Sequence, residues 1–234
     1  MGLINKQELR TPPGALQEEF DNKLIKFIEN ATKVKWENIS PDKKHKLICM
    51  VSKKCKRCDN CSEFPTITPV YKDKPKLVLV GRAVTNKDIQ TSSILSEEHS
   101  TYSITNKIIT TLGFTMQDTY YTNIAFCGSP KVNSLTESNF NKCFLYKNLE
   151  LSTMDLPKVI VLLGNDAFNL FFNKGCSVQS ILGNSYLSEY QGEERLFIPV
   201  CHPVTMQRNK DLYNDTFKVL EYYKSILNSI RVED

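Results

Sequence analysis

No stretch of the 234 residues approaches the roughly 18 consecutive apolar positions that a membrane-spanning helix needs. The N-terminus also lacks the hydrophobic core of a signal peptide, so a soluble, cytoplasmic protein is expected. No internal repeat, low-complexity tract or phosphate-cradling Gly-rich loop is found, which argues against solenoids and nucleotide-level hydrolases. Charge of one sign is scarce: the net charge is +4, which permits nucleic-acid binding without requiring it. What the chain does have is 41% hydrophobic and 24% charged residues, an ordinary globular balance. It also has eight cysteines. In an intracellular setting these read as reduced thiols or metal ligands rather than disulfides.

Residues 1–14 are polar and end in the breaker cluster Thr11-Pro12-Pro13-Gly14. Leu16, Phe20, Leu24, Phe27, Ile28 and Ala31 then recur at helical spacing, predicting an amphipathic helix from Leu16 to about Lys33. Ser40-Pro41 opens a second helix, as N-cap and first helical residue. Residues 1–54 are therefore expected to form a helical extension packed on an α/β domain of residues 55–234. Within that domain, apolar runs at 76–80, 120–127, 159–163 and 196–200 alternate with helical patterns. Strands this apolar on both faces belong to a mostly parallel sheet covered on both sides. The expected fold is a three-layer α/β/α sandwich with a central four-stranded sheet and, from 186 to 194, a weaker hairpin. Functional residues of such sheets lie at the carboxyl ends of the strands.

At those ends stand Gly81, Asn123, Gly164 and His202. Cys55-x2-Cys58 and Cys127-x15-Cys143 supply four soft ligands in two local pairs, enough for a tetrahedral zinc or an iron–sulfur cluster. Cys58-x2-Cys61 is an equally good pair by spacing, whereas Cys49, Cys176 and Cys201 read as packing residues. Seven lysines and arginines between Lys43 and Arg57, among them Lys54 and Lys56, form either a solvated face or a phosphate-contacting patch.

In this order the segments resemble the uracil-DNA glycosylase superfamily, in particular its iron–sulfur branch, family 4. Leu-Val-Leu-Val-Gly81 is similar to that family's first strand, and Tyr121-Thr-Asn123-Ile-Ala-Phe-Cys127 to its Tyr-x-Thr-Asn-x-x-x-Cys strand. Val159-Ile-Val-Leu-Leu-Gly164-x-x-Ala167 and His202-Pro203 with Arg208 complete the set, which covers about two thirds of the chain. The resemblance implies a monomeric DNA glycosylase that flips out a base and leaves an abasic site. It implies a 4Fe-4S cluster on Cys55, Cys58, Cys127 and Cys143, with zinc the lesser expectation. It also places Gly81, Arg82, Ala83, Asn123 and His202 around the base, and Met206 and Arg208 against DNA. The residue chemistry agrees. The Asn123 amide has both a donor and an acceptor for a pyrimidine's N3/O4 edge, and His202 suits the O2 that gains charge as the base leaves. Met206 would be an apolar wedge filling the vacated stack.

The first motif departs from the family's Gly-Glu-x-Pro-Gly. Here it reads Gly81-Arg82-Ala83-Val84-Thr85, and arginine cannot serve as a base. Asp88 and Glu98 are the replacement carboxylates expected to activate water. Arg82 carries a fork of donors suited to an oxygen-rich substituent, so the expected substrate is a modified pyrimidine, such as a hydroxymethylated or glucosylated phage base. Anti-phage defence and base-excision repair are both compatible settings, and a DNA-binding module that lost its chemistry is the alternative.

Overall fold

Buried β-branched and aliphatic runs set the frame of the computed structural model, which describes residues 4–9, 14–58, 65–128, 135–172 and 175–231. A short strand, β1 (Ile4–Lys6), precedes the helices α1 (Gly14–Thr32) and α2 (Pro41–Ser52). The chain then runs β2 (Leu77–Ala83), α3 (Asn86–Thr91), α4 (Tyr102–Thr111), β3 (Thr119–Ala125), α5 (Glu137–Leu151), β4 (Val159–Leu163) and α6 (Gly164–Phe172). It closes with β5 (Ser185–Tyr190), β6 (Glu193–Val200), α7 (Pro203–Arg208) and α8 (Lys210–Arg231).

The sheet has six strands in the order β1-β5-β6-β4-β2-β3, not four. All neighbours are parallel except β5 and β6. These two form a hairpin whose turn residues Gln191 and Gly192 both have positive φ, the conformation that matches strand twist. Every residue of β4 is buried, as a central strand covered on both faces requires.

From β2 the chain moves outward to β3 and then crosses back to β4. Right-handed crossovers in opposite directions put their helices on opposite faces, so α4 covers one side while α5 and α6 cover the other. The point of reversal lies between β2 and β4, and crevices that bind ligands open there. On the α5–α6 side Phe144, Phe168, Phe171, Phe172, Tyr186 and Phe197 form a chain of ring contacts.

Helices α1 and α2 make a second core against α5. Phe20, Leu24 and Ile28, at four-residue spacing, meet Ile48, Phe126, Leu145, Tyr146 and Leu149. Under β3 the buried side chains of Tyr120 and Thr122 share the Glu150 carboxylate with Lys147, and His45 of α2 bonds the Tyr120 hydroxyl at 2.9 Å. This network ties α2, β3 and α5 together, which fixes the strand that bears Asn123.

Candidate active site

His202 is the best-defined group at the strand ends. It caps α7, with Pro203 as the first helical residue, and its Nδ1 accepts the Val204 amide at 3.3 Å. A nitrogen that accepts is unprotonated, so the proton of the neutral ring sits on Nε2, which is left as a donor. Burial, then the nearby Arg82 guanidinium and His99, push the His202 pKa down to about 4 against a smaller opposing pull from Asp166. The imidazole is therefore neutral at physiological pH. Gly164 makes this placement possible. Its φ is +85°, and a β carbon there would stand 2.9 Å from the His202 Cβ.

His202 lines a cleft of about 580 Å³ between the ends of β4 and β6. Arg82, Asn165, Asp166, Gln179 and Arg208 share the wall, and Asp166 is its one carboxylate among the described residues. Arg82 Nε donates to Asp166 Oδ2, and the guanidinium lies 5.6 Å from the Phe140 ring centre. Asp166 lies in the first turn of α6.

Asn123 is placed differently. Successive strand residues point to opposite faces, and Asn123 pairs in register with Gly81. Its side chain lies over Gly81, where a β carbon would run into the Asn123 amide oxygen and come within 2.7 Å of the Tyr121 hydroxyl. Asn123 is 4% exposed and does not line the His202 cleft. Arg82, one residue on, turns to the other face. The structure thus brings Arg82, Asp166 and His202 together, and sets Gly81 with Asn123 beside them. Ala83, half-buried, shares the Gly81 face and pairs with Ala125.

Three expectations meet other placements. The Asp88 carboxylate is buried and spent: Oδ2 accepts from the Thr85 amide (2.8 Å) and hydroxyl (2.7 Å), and Oδ1 from the Leu95 amide (2.8 Å). This is a capping box that starts α3 and pins the following loop, which leaves no oxygen turned to water. Glu98 is on the surface, paired with Lys87 at 2.6 Å and outside the cleft wall. Met206 is 2% exposed and belongs to the main core, because it and Pro203 lie one turn apart on the inner side of α7. Thr205, Gln207 and Arg208 are the exposed residues of that turn. His99 lies next to Glu98 in the same loop. It hydrogen-bonds Thr85 (3.0 Å) and Thr101 (2.8 Å), and Gln207 donates to the adjacent Ser100 carbonyl, joining the 97–101 segment to α7.

Cys127 and Cys143 are buried, and Cys55 and Cys58 partly so. Cys61 lies outside the described residues. The Tyr146 phenol, raised to about 12 by burial, also feels both Cys55 and Cys143. One member of each local pair therefore meets at the same ring. Among the described residues no three His, Cys, Asp or Glu side chains close on a single point as one metal ion requires. Four thiols in two local pairs suit a sulfur-ligated cluster, which holds its ligands wider apart than a lone ion. Lys54 and Lys56 flank this segment and are exposed.

Residues 68–228 match the family model described as Uracil DNA glycosylase superfamily. A type-4 uracil-DNA glycosylase of Archaeoglobus fulgidus is 26% identical over 173 residues, covering 70% of this chain and 85% of that protein. A type-4 uracil-DNA glycosylase of Sulfurisphaera tokodaii is 26% identical over 113 residues, covering 47% of this chain and 51% of that protein.

Proposed function

The chain belongs to the uracil-DNA glycosylase superfamily, and on that footing we propose that it is a DNA glycosylase, a hydrolase that releases a pyrimidine carrying a substituent on its ring. His202 carries the proposal. A neutral imidazole with its proton on Nε2 is a donor suited to the base O2, where negative charge collects as the C1′–N1 bond breaks. Asn123 supplies the complementary grip on the N3/O4 edge. Two strands, β2 and β4, separate β3 from β6, which at 4.7–4.9 Å per step is about 14 Å between backbones. Two side chains, two hydrogen bonds of about 2.9 Å and one pyrimidine ring fill that span.

The substituent is inferred from the size and lining of the cleft. A cleft of about 580 Å³ is larger than a bare pyrimidine needs, and Arg82, Asn165 and Gln179 line it with groups that bond hydroxyl oxygens. A hydroxymethylated or glucosylated base, as phages carry, matches that lining. Thr205, Gln207 and Arg208 face outward beside the cleft and would meet the DNA backbone, with Lys54 and Lys56 as a second basic contact. Cys55, Cys58, Cys127 and Cys143 would hold a 4Fe-4S cluster, whose part is to anchor the 55–58 segment to the end of β3 and the start of α5.

Base release is the test, on single-stranded and duplex oligonucleotides containing uracil, a hydroxymethylated pyrimidine, a glucosylated pyrimidine or normal bases only. Abasic sites are expected from the substituted bases. Cleavage confined to uracil would refute the substituent, and tight binding without product on every DNA would establish an inactive binding module instead. Iron and sulfide analysis of the same preparation checks the cluster.

A further inference from the structure

We propose that Asp166 is the carboxylate that activates water for base release, an inference that rests on the glycosylase assignment above. Asp166 stands at the topological reversal between β2 and β4, in the same crevice as His202. Gly164, the first residue of α6, is packed against the His202 Cβ, and Asp166, in the same first turn, is near enough for its charge to act on the imidazole. The other acids offered by the sequence are occupied: Asp88 in its capping box, Glu98 in a surface pair with Lys87.

The Asp166 side chain is 41% exposed, so water reaches it. Among the described residues its carboxylate receives its hydrogen bond from Arg82, at Oδ2. That contact engages Oδ2 and holds the side chain at the cleft wall. Arg82 is thereby a positioning residue for Asp166, and its guanidinium is steadied over the Phe140 ring.

The step balances without a further reactant. The C1′–N1 bond breaks and its electron pair leaves with the base, whose O2 is held by the His202 Nε2–H. A water oxygen bonds to C1′, and the proton this water sheds passes to Asp166 Oδ1. Asp166 returns that proton through solvent to the released base, so one water is consumed and an abasic sugar and a neutral base are formed. Acid and leaving-group donor lie on adjacent strand ends, within one cleft, as the chemistry requires.

Single-turnover base release from the oligonucleotide that wild type cleaves best, compared with D166N, D166A and E98Q, tests this. D166N keeps an oxygen for Arg82 and so preserves the contact. Its rate should nevertheless fall by about 100-fold or more, the usual cost of losing a general base. Its affinity for DNA carrying an abasic-site analogue should stay at the wild-type level. Added formate should restore part of the D166A rate and leave wild type unaffected, while E98Q should match wild type. A D166N rate close to wild type's, or a D166A loss that formate does not relieve, overturns the assignment. If wild type releases no base from any DNA, the glycosylase assignment itself fails; an active wild type with an active D166N removes only Asp166.

Discussion

Acidifying the protein from about pH 7 to about pH 4 should cost stability through His202, by an amount its burial sets. The native ring holds its proton only below about 4, whereas an unfolded histidine takes one up near its ordinary value of 6.5. Between those values the unfolded chain binds more protons than the native one, so stability rises with pH across that window and falls as the solution is acidified. A displacement of about 2.5 pK units corresponds to about 3 kcal/mol, fully developed below about pH 4. The groups facing the ring are Arg82, Asp166 and His99, and all remain in H202Q. Urea unfolding of wild type and H202Q at both pH values therefore isolates the imidazole: wild type should lose about 3 kcal/mol more than the variant. Equal losses would refute the buried, neutral ring. Ring NMR supplies an independent check. A titration midpoint near 6.5, or a proton on Nδ1, would contradict the Val204 contact and with it the Nε2–H donor on which the chemistry depends.

Two further outcomes follow from the packing. In G81A the new methyl group displaces the Asn123 amide from its seat beside the Tyr121 hydroxyl. Base release should drop by about 10- to 100-fold, since misplacing a binding group by about 1 Å has that scale of effect; an unchanged rate would separate Asn123 from base recognition. In E150A the fully buried Lys147 loses its carboxylate, and Tyr120 and Thr122 lose their acceptor. An uncompensated buried charge costs about 3–5 kcal/mol, so denaturant unfolding that finds E150A as stable as wild type would mean that the network contributes nothing.

The central strands were legible because burial on both faces writes them as unbroken apolar runs, as in Val159–Leu163. Of the outer strands, β1 was missed and β5 was read only as part of a weak hairpin from 186 to 194. β1 is three residues long with Ile4 half exposed, and its pairing partner β5 is 181 positions away in register. β5 alternates Tyr186, Ser188 and Tyr190 inward with Glu189 outward, a pattern that reads as sheet only once β6 supplies its partner. Gly81 and Asn123 could be picked out near the ends of readable strands, and Gly164 and His202 just past them. Met206 was misassigned because adjacency to His202 suggested a loop, whereas Pro203 starts a helix whose phase turns position 206 inward. Asp166 was passed over because its partner Arg82 is 84 residues earlier, whereas Asp88 and Glu98 follow the first motif where the superfamily resemblance places acids.

The parity of β2 decides how the divergent first motif works. Gly81 points to the α4 side, where its missing side chain makes room for Asn123, so Arg82 must point to the α5–α6 side. An arginine there cannot contact a ring edge held by Asn123 from the same face. It can only act in the crevice behind His202, where it meets Asp166 at the end of the next strand. Asn123 with Gly81 therefore lies on the α4 face of the sheet, and Arg82 with Asp166 on the α5–α6 face. His202 stands at the boundary, neutral because both burial and Arg82 disfavour its proton. A carboxylate placed at position 82 would have to share that crevice with Asp166, and two carboxylates so close repel and raise one pKa. Arginine at 82 removes that conflict, and it does so while holding the remaining acid in place.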